Sequence, residues 1–174
     1  MCVISYTPAL VETLPDAIIK AMCKCNPDGM GFVTPSVSYR GMSIKTLLDR
    51  LHERDLSEPC IIHCRWATHG SIKRGNCHPF YDKQSDVWFA HNGILPVKPF
   101  KGKTDSETAF RKLFVPLIRD YGIDSDELAY TINQIIGGSK FAFLDGNGEV
   151  RLFGEYYEWH GSFFSNLRFR YFLR

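Results

Sequence analysis

Apolar and polar positions alternate along this chain in short runs, separated by stretches with helical spacing. Cys2 to Tyr6 is a brief apolar run and predicts a buried strand. Ile18, Ile19, Met22 and Cys23 then fall on one helical face, with Thr13 as the expected N-cap and Pro15 in the first turn. Asn26-Pro27-Asp28-Gly29 reads as a turn before a strand pair around Phe32 to Thr34 and Val37 to Arg40. Ser43 is placed to cap a helix with Ile44, Leu47, Leu48 and Leu51 inward.

Cys60 to Thr68 reads as a central strand running into a loop, and Val87 to Ala90 as another strand. A long helical pattern starts at Thr104 or Asp105, with Phe110, Leu113, Phe114, Leu117 and Ile118 on one side. Pro116 lies inside it and is expected to kink or end the helix. A further helix is expected from about Asp126 to Ile136, and the tail from Lys140 to Leu173 as antiparallel strands. Asp145-Gly146-Asn147-Gly148 is a hairpin signal within that tail. Mainly antiparallel strands with two pairs of helices predict an α+β fold, its helices covering the outer faces of sheets.

Composition narrows the picture only a little. The 174 residues suit one domain with a sizeable core, and 44% hydrophobic residues is an ordinary globular value. A net charge of +2 points to neither nucleic acid nor a membrane as partner. No signal peptide or spanning segment is legible, so a reducing cytoplasm is the expected compartment. Six cysteines are too few for a disulfide scaffold at this length. Cys23, Cys25, Cys60, His63 and Cys64 resemble metal ligands, but paired C-x2-C spacing is missing. Strand alternation also puts Cys60 and Cys64 on the face opposite His63, so no metal is expected. Phe163, Phe164, Phe169, Tyr171 and Phe172, interleaved with Arg168 and Arg170, are better explained by a buried sheet than by a nucleic-acid surface.

Chemistry enters at Cys2. If Met1 is removed, this residue carries a thiol and a free α-amine together. A thiol ionises at about 8.5 and an α-amine at about 7.7 to 8.0, so the amine is a suitable proton acceptor beside the sulfur. Read alone, position 2 favours a small apolar residue opening a strand.

Cys2, Arg65-Trp66-Ala67-Thr68-His69-Gly70, His91-Asn92-Gly93 and Thr104-Asp105-Ser106-Glu107 occur in the order seen in class II glutamine amidotransferases, which the chain resembles. Asp28-Gly29-Met30-Gly31 and Asn76-Cys77-His78-Pro79 are similar to further family segments. The resemblance implies an N-terminal-nucleophile hydrolase fold, a four-layer αββα sandwich. It implies Cys2 as nucleophile, with Asn92 and Gly93 as oxyanion donors. It implies glutamine binding by Arg65, Trp66, Thr68, His69, His78 and Asp105, and no cofactor. Arg65 offers a planar fork for the α-carboxylate, and Asp105 a partner for the α-ammonium. Blander roles exist for each: Asn-Gly is a common turn, Arg65 suits a strand-end salt bridge, and Asp105 suits a helix cap.

The expectation is a single glutaminase domain over residues 1–174, acting as a stand-alone amidotransferase. Glutamine is its substrate, and a separate synthase-type protein receives the ammonia. Two alternatives stay open. One is a related hydrolase of another γ-glutamyl amide, and the other a non-catalytic binding module on the same fold.

Overall fold

The computed structural model describes residues 1–68 and 70–173. Among these, two antiparallel sheets stack face to face. The first holds β1 (Val3–Thr7), β2 (Met30–Val33), β3 (Ser38–Gly41), β4 (Cys60–Cys64), β9 (Tyr157–Trp159) and β10 (Ser162–Phe164), in the order β3-β2-β4-β1-β10-β9. The second holds β5 (Phe80–Asp82), β6 (Val87–Asn92), β7 (Lys140–Asp145) and β8 (Val150–Phe153), in that order.

Three apolar clusters define the layers. Helices α1 (Asp16–Cys25) and α2 (Ile44–His52) bury Ile18, Ile19, Met22, Leu47 and Leu51 against Val3, Phe32, Ile62 and Phe164 on the outer face of the first sheet. Ile4, Val33 and Ile61 meet Ala90, Ala142 and Leu144 between the sheets. Phe89, Phe141 and Phe143 on the far side of the second sheet pack under Phe110, Phe114, Ile118, Leu128 and Ile132. Those residues belong to a π-helical turn (Phe110–Phe114), which continues from α3 (Asp105–Ala109), and to α4 (Val115–Tyr121) and α5 (Asp126–Ile135). The fold is the α+β sandwich of αββα layering, and the period of two explains its clean division. On β4, Cys60, Ile62 and Cys64 face the helices while Ile61 faces the second sheet.

Several expected boundaries move. The first helix starts at Asp16 with Pro15 at the N-cap. Thr13 does not cap it; its Oγ1 instead accepts a hydrogen bond from Arg54 Nε at 2.9 Å. Pro116 neither ends nor breaks the long helical stretch. It occupies the first turn of α4, where its missing N–H costs nothing, and the π-turn before it takes up the change of register. The tail is not strand throughout. Arg168–Phe172 is a 3-10 turn that carries the buried Phe169 against Trp159 and Phe164.

Antiparallel pairing of Val3 with Cys64 sets the start of β1 beside the end of β4. Cys2, Arg65 and Asn92, all at strand ends, therefore gather at one rim of the sandwich.

Candidate active site

Period-two alternation gives Cys2 the same side as Ile4 and Tyr6, facing the second sheet. Its Sγ receives the backbone N–H of Trp66 at 3.4 Å and lies 3.5 Å from the Trp66 carbonyl. Burial pushes the thiol up from its ordinary range; the Trp66 N–H, the N-terminal ammonium and Arg65 oppose that shift without cancelling it.

Two clefts meet at Cys2. The narrow one, with about 20 Å³ of free volume, is lined by Cys2, Arg65, Trp66, Thr68, His78, His91, Gly93, Thr104, Asp105 and Ser106. The wide one, about 260 Å³ with Met1 in its lining, reaches from Cys2 and Gly93 to Ile94, Gly138 and Ser139. Trp66 and Thr68 border both, so the segment after β4 is the wall between them. His69 lies outside the described residues.

Arg65 is held from several sides. Its guanidinium donates to the carbonyls of Ser71 at 3.2 Å, Gly70 at 3.4 Å and Asp28 at 3.5 Å. Asp28 clamps the same segment through its backbone N–H to Arg65 O at 3.0 Å and its Oδ2 to the Ala67 N–H at 2.8 Å. At the other end of the cleft, Thr104 is the N-cap of α3 and accepts from the Glu107 N–H at 3.1 Å. Asp105 is therefore not the cap. Its Oδ2 accepts from the Leu95 N–H at 2.8 Å, with the carboxylate at the cleft wall.

Three buried imidazoles cluster at the narrow cleft, His78 and His91 in its lining and His63 behind them. His63 Nε2 bonds the His91 carbonyl at 3.0 Å, His63 and His78 rings lie 4.2 Å apart, and His91 Nδ1 meets Ser106 Oγ at 2.7 Å. Burial lowers all three, His63 to about 3, His91 to about 4 and His78 well below its usual value. Neither ring nitrogen of His78 has a hydrogen-bond partner among the described residues.

Gly93 lines both clefts, whereas the Asn92 side chain turns inward, its Nδ2 donating to Ser165 Oγ at 2.9 Å. Ser165 and Asn166 had no signal in the sequence, because they reach the site from more than 160 positions away. Asp28 and Ser106 lay inside recognisable segments, but only the folded contacts reveal what they hold. No group of three or more His, Cys, Asp or Glu among the described residues is arranged to hold a metal ion.

Residues 38–153 match the family model for class II glutamine amidotransferases, and the chain belongs to that family. Glutamine–fructose-6-phosphate aminotransferase of Methanococcus maripaludis is 54% identical over 33 residues, covering 19% of this chain and 6% of that protein. The same enzyme of Chlamydia muridarum is 31% identical over 100 residues, covering 51% and 16%. The solved structure of glutamine phosphoribosylpyrophosphate amidotransferase from B. subtilis superposes with a TM-score of 0.59 at 16% identity, over 94% of this chain and 41% of that one. The chain thus spans less than half the length of each of these proteins.

Proposed function

We propose that this chain is a glutaminase in which Cys2 attacks the side-chain amide of glutamine. The observation that carries the reading is the position of Cys2 Sγ where the two clefts meet, with Arg65 and Asp105 lining the narrow one. Those two groups suit an α-carboxylate and an α-ammonium, which orients the γ-amide toward the sulfur. Loss of the residue ahead of Cys2 frees its α-amine, which takes the thiol proton and returns it to the leaving nitrogen. The C–N bond breaks, ammonia departs, and a glutamyl thioester remains for water to hydrolyse. The Gly93 N–H and one Asn92 side-chain N–H stabilise the oxyanion, each donor being worth about 2.7 to 4 kcal/mol in comparable sites. The narrow cleft has room for about one water, so glutamine enters only as the wall formed by Trp66 and Thr68 moves outward.

The test is glutamate release from glutamine by purified protein whose intact mass shows loss of Met1. Cys2→Ala is expected to lower kcat by about a thousandfold or more. Full activity in a preparation that retains Met1 excludes the α-amine as base. A synthase-type site, on the same polypeptide or another, is proposed to receive the ammonia. The exposed segment bearing Lys73 and Arg74 suits that docking, so Lys73→Glu/Arg74→Glu is expected to abolish stimulation by the synthase and spare basal turnover.

One observation favours a second reading, hydrolysis of N-substituted γ-glutamyl amides. With the α-amino acid end placed in the narrow cleft, as proposed above, the leaving group is directed to the wide cleft, whose volume of about 260 Å³ far exceeds the roughly 30 Å³ share of a water-sized molecule such as ammonia. A Cβ built on Gly138 meets nothing within 4 Å, so a side chain can be added at this cleft-lining position, and Gly138→Trp is the variant chosen to obstruct the cleft. On this reading γ-glutamyl-p-nitroanilide is cleaved at least as well as glutamine, and Gly138→Trp suppresses only the anilide. Cleavage of glutamine alone dismisses it.

A further inference from the structure

The backbone ladder between β1 and β10 is short, pairing Tyr6 with Phe163 and Ser5 with Phe164. On the other edge of β1 the last pair is Val3 with Cys64. Cys2 lies beyond both ladders. A terminal residue without strand partners frays, and rotation there swings the sulfur and the α-amine together.

Beyond Phe164 the ladder continues through side chains. The Ser165 N–H donates to Ile4 O at 2.9 Å, and the Ile4 N–H donates to Ser165 Oγ at 2.8 Å. Asn166 Nδ2 then donates to the Cys2 carbonyl at 2.8 Å. The Asn166 amide is itself oriented, because its Oδ1 accepts the Arg168 N–H at 3.1 Å from the 3-10 turn. Holding the Cys2 carbonyl holds the peptide plane from residue 2 to 3, and with it the position of Cα and the Cα–C axis about which the nitrogen and Cβ turn; the Trp66 N–H on Sγ limits the rotation that is left.

Ser165 Oγ has a second lone pair, and it accepts Asn92 Nδ2 at 2.9 Å. One hydroxyl thus joins β1 of the first sheet to the end of β6 in the second. Ser165 is buried, and an amide N–H on Asn92 is still left for an oxyanion.

We infer that Ser165 and Asn166 are positioning residues: a side-chain extension of the β10–β1 ladder that holds the nucleophile and the oxyanion donor in one register. The inference rests on the roles proposed above for Cys2 and Asn92. Both residues follow the 38–153 segment matched by the family model.

Asn166→Asp tests the contact to Cys2. It keeps the acceptor for the Arg168 N–H and removes the donor to the Cys2 carbonyl. Misplacement of a reacting group by about 1 Å can cost about a hundredfold, so kcat for glutamine is expected to fall at least tenfold. KM should stay within about threefold and the melting temperature close to wild type, a split that general destabilisation does not produce. Ser165→Ala tests the contact to Asn92 through a double-mutant cycle. Alone it should lower kcat, whereas in an Asn92→Ala background the loss should be smaller by about threefold or more, because the part that passes through Asn92 is already gone and only the Ile4 N–H contact remains to be lost.

Unchanged kcat in both variants, with wild-type turnover still dependent on Cys2, overturns the inference and leaves the glutaminase reading intact. Additive losses for Ser165→Ala and Asn92→Ala also overturn it, by removing the link between the two residues. Wild-type protein with no Cys2-dependent turnover defeats the glutaminase reading itself and the inference with it.

Discussion

At the scale of single residues, Gly93 and Gly138 border the same cleft under opposite constraints. Gly93 has φ +148°, and an added Cβ would lie 2.7 Å from Ser139 Cβ and overlap its Oγ. Backbone strain of this kind costs on the order of 1–3 kcal/mol before the overlap is counted. Gly93→Ala is therefore expected to lower the urea midpoint by the equivalent of about 2 kcal/mol or more and to remove glutaminase turnover. Gly138 has open space at the same point, and Gly138→Ala should stay within about 0.5 kcal/mol of wild type. Equal effects of the two substitutions would show that the turn at Gly93 does not need glycine. The sequence displays Asn92-Gly93 as a turn pair and cannot reveal why glycine is required, because the obstructing Ser139 comes from the other end of the α3–α5 segment.

At the scale of elements, the start of α3 links helix stability to substrate binding. Thr104 accepts from the Glu107 N–H, and Asp105 follows it at the cleft wall. Thr104→Ala should cost about 1 kcal/mol, the usual value of a lost N-cap. It should also raise KM for glutamine more than it lowers kcat, since it loosens the carboxylate proposed to meet the α-ammonium. Thr104→Ser, which retains the hydroxyl, should recover both. A loss of stability with unchanged KM would separate the cap from binding. Helical spacing and the cap residue Ser43 were legible, because caps and faces are local patterns, whereas at α3 the pattern left Thr104 and Asp105 both open as the start. The start of α1 was not, because Thr13 is drawn to Arg54, 41 positions away. Nor was the path of the tail, where Phe169 is buried by Trp159 and Phe164 rather than by a strand partner.

At the scale of the whole molecule, His63, His78 and His91 make stability depend on pH. Their folded values lie below the ordinary value of 6.5, with burial as the main cause. The unfolded chain therefore binds protons that the folded chain excludes. Stability is complete above about pH 6.5 and is lost as pH falls toward the folded values, by up to about 1.4 kcal/mol per pH unit for each histidine. Urea midpoints are expected to decline between about pH 6.5 and 4, and His63→Phe should flatten that slope by roughly one proton. An unchanged slope would show that His63 is accessible to protons in the folded protein. The alternation along β4 assigned His63 and the cysteines to opposite faces. Its meeting with His78 and His91 depended on how the two sheets stack. No helix among the described residues is long and apolar enough to cross a membrane.

The sequence by itself determined the α+β class, the helix faces, the hairpin at Asp145 to Gly148 and the segments that mark the family. Each depends on a period, a turn preference or a contiguous motif, which neighbouring residues specify alone. Only the tertiary structure decided that Cys2 meets Trp66, that Asp28 holds the strand-end segment around Arg65, that Thr104 caps α3 while Asp105 faces the cleft, and that Ser165 and Asn166 tie β1 to Asn92. Apart from the Thr104 cap, those contacts join distant parts of the chain through side chains of one or two hydrogen bonds each. Their partners are chosen by sheet register and layer stacking, and no spacing along the chain records that choice.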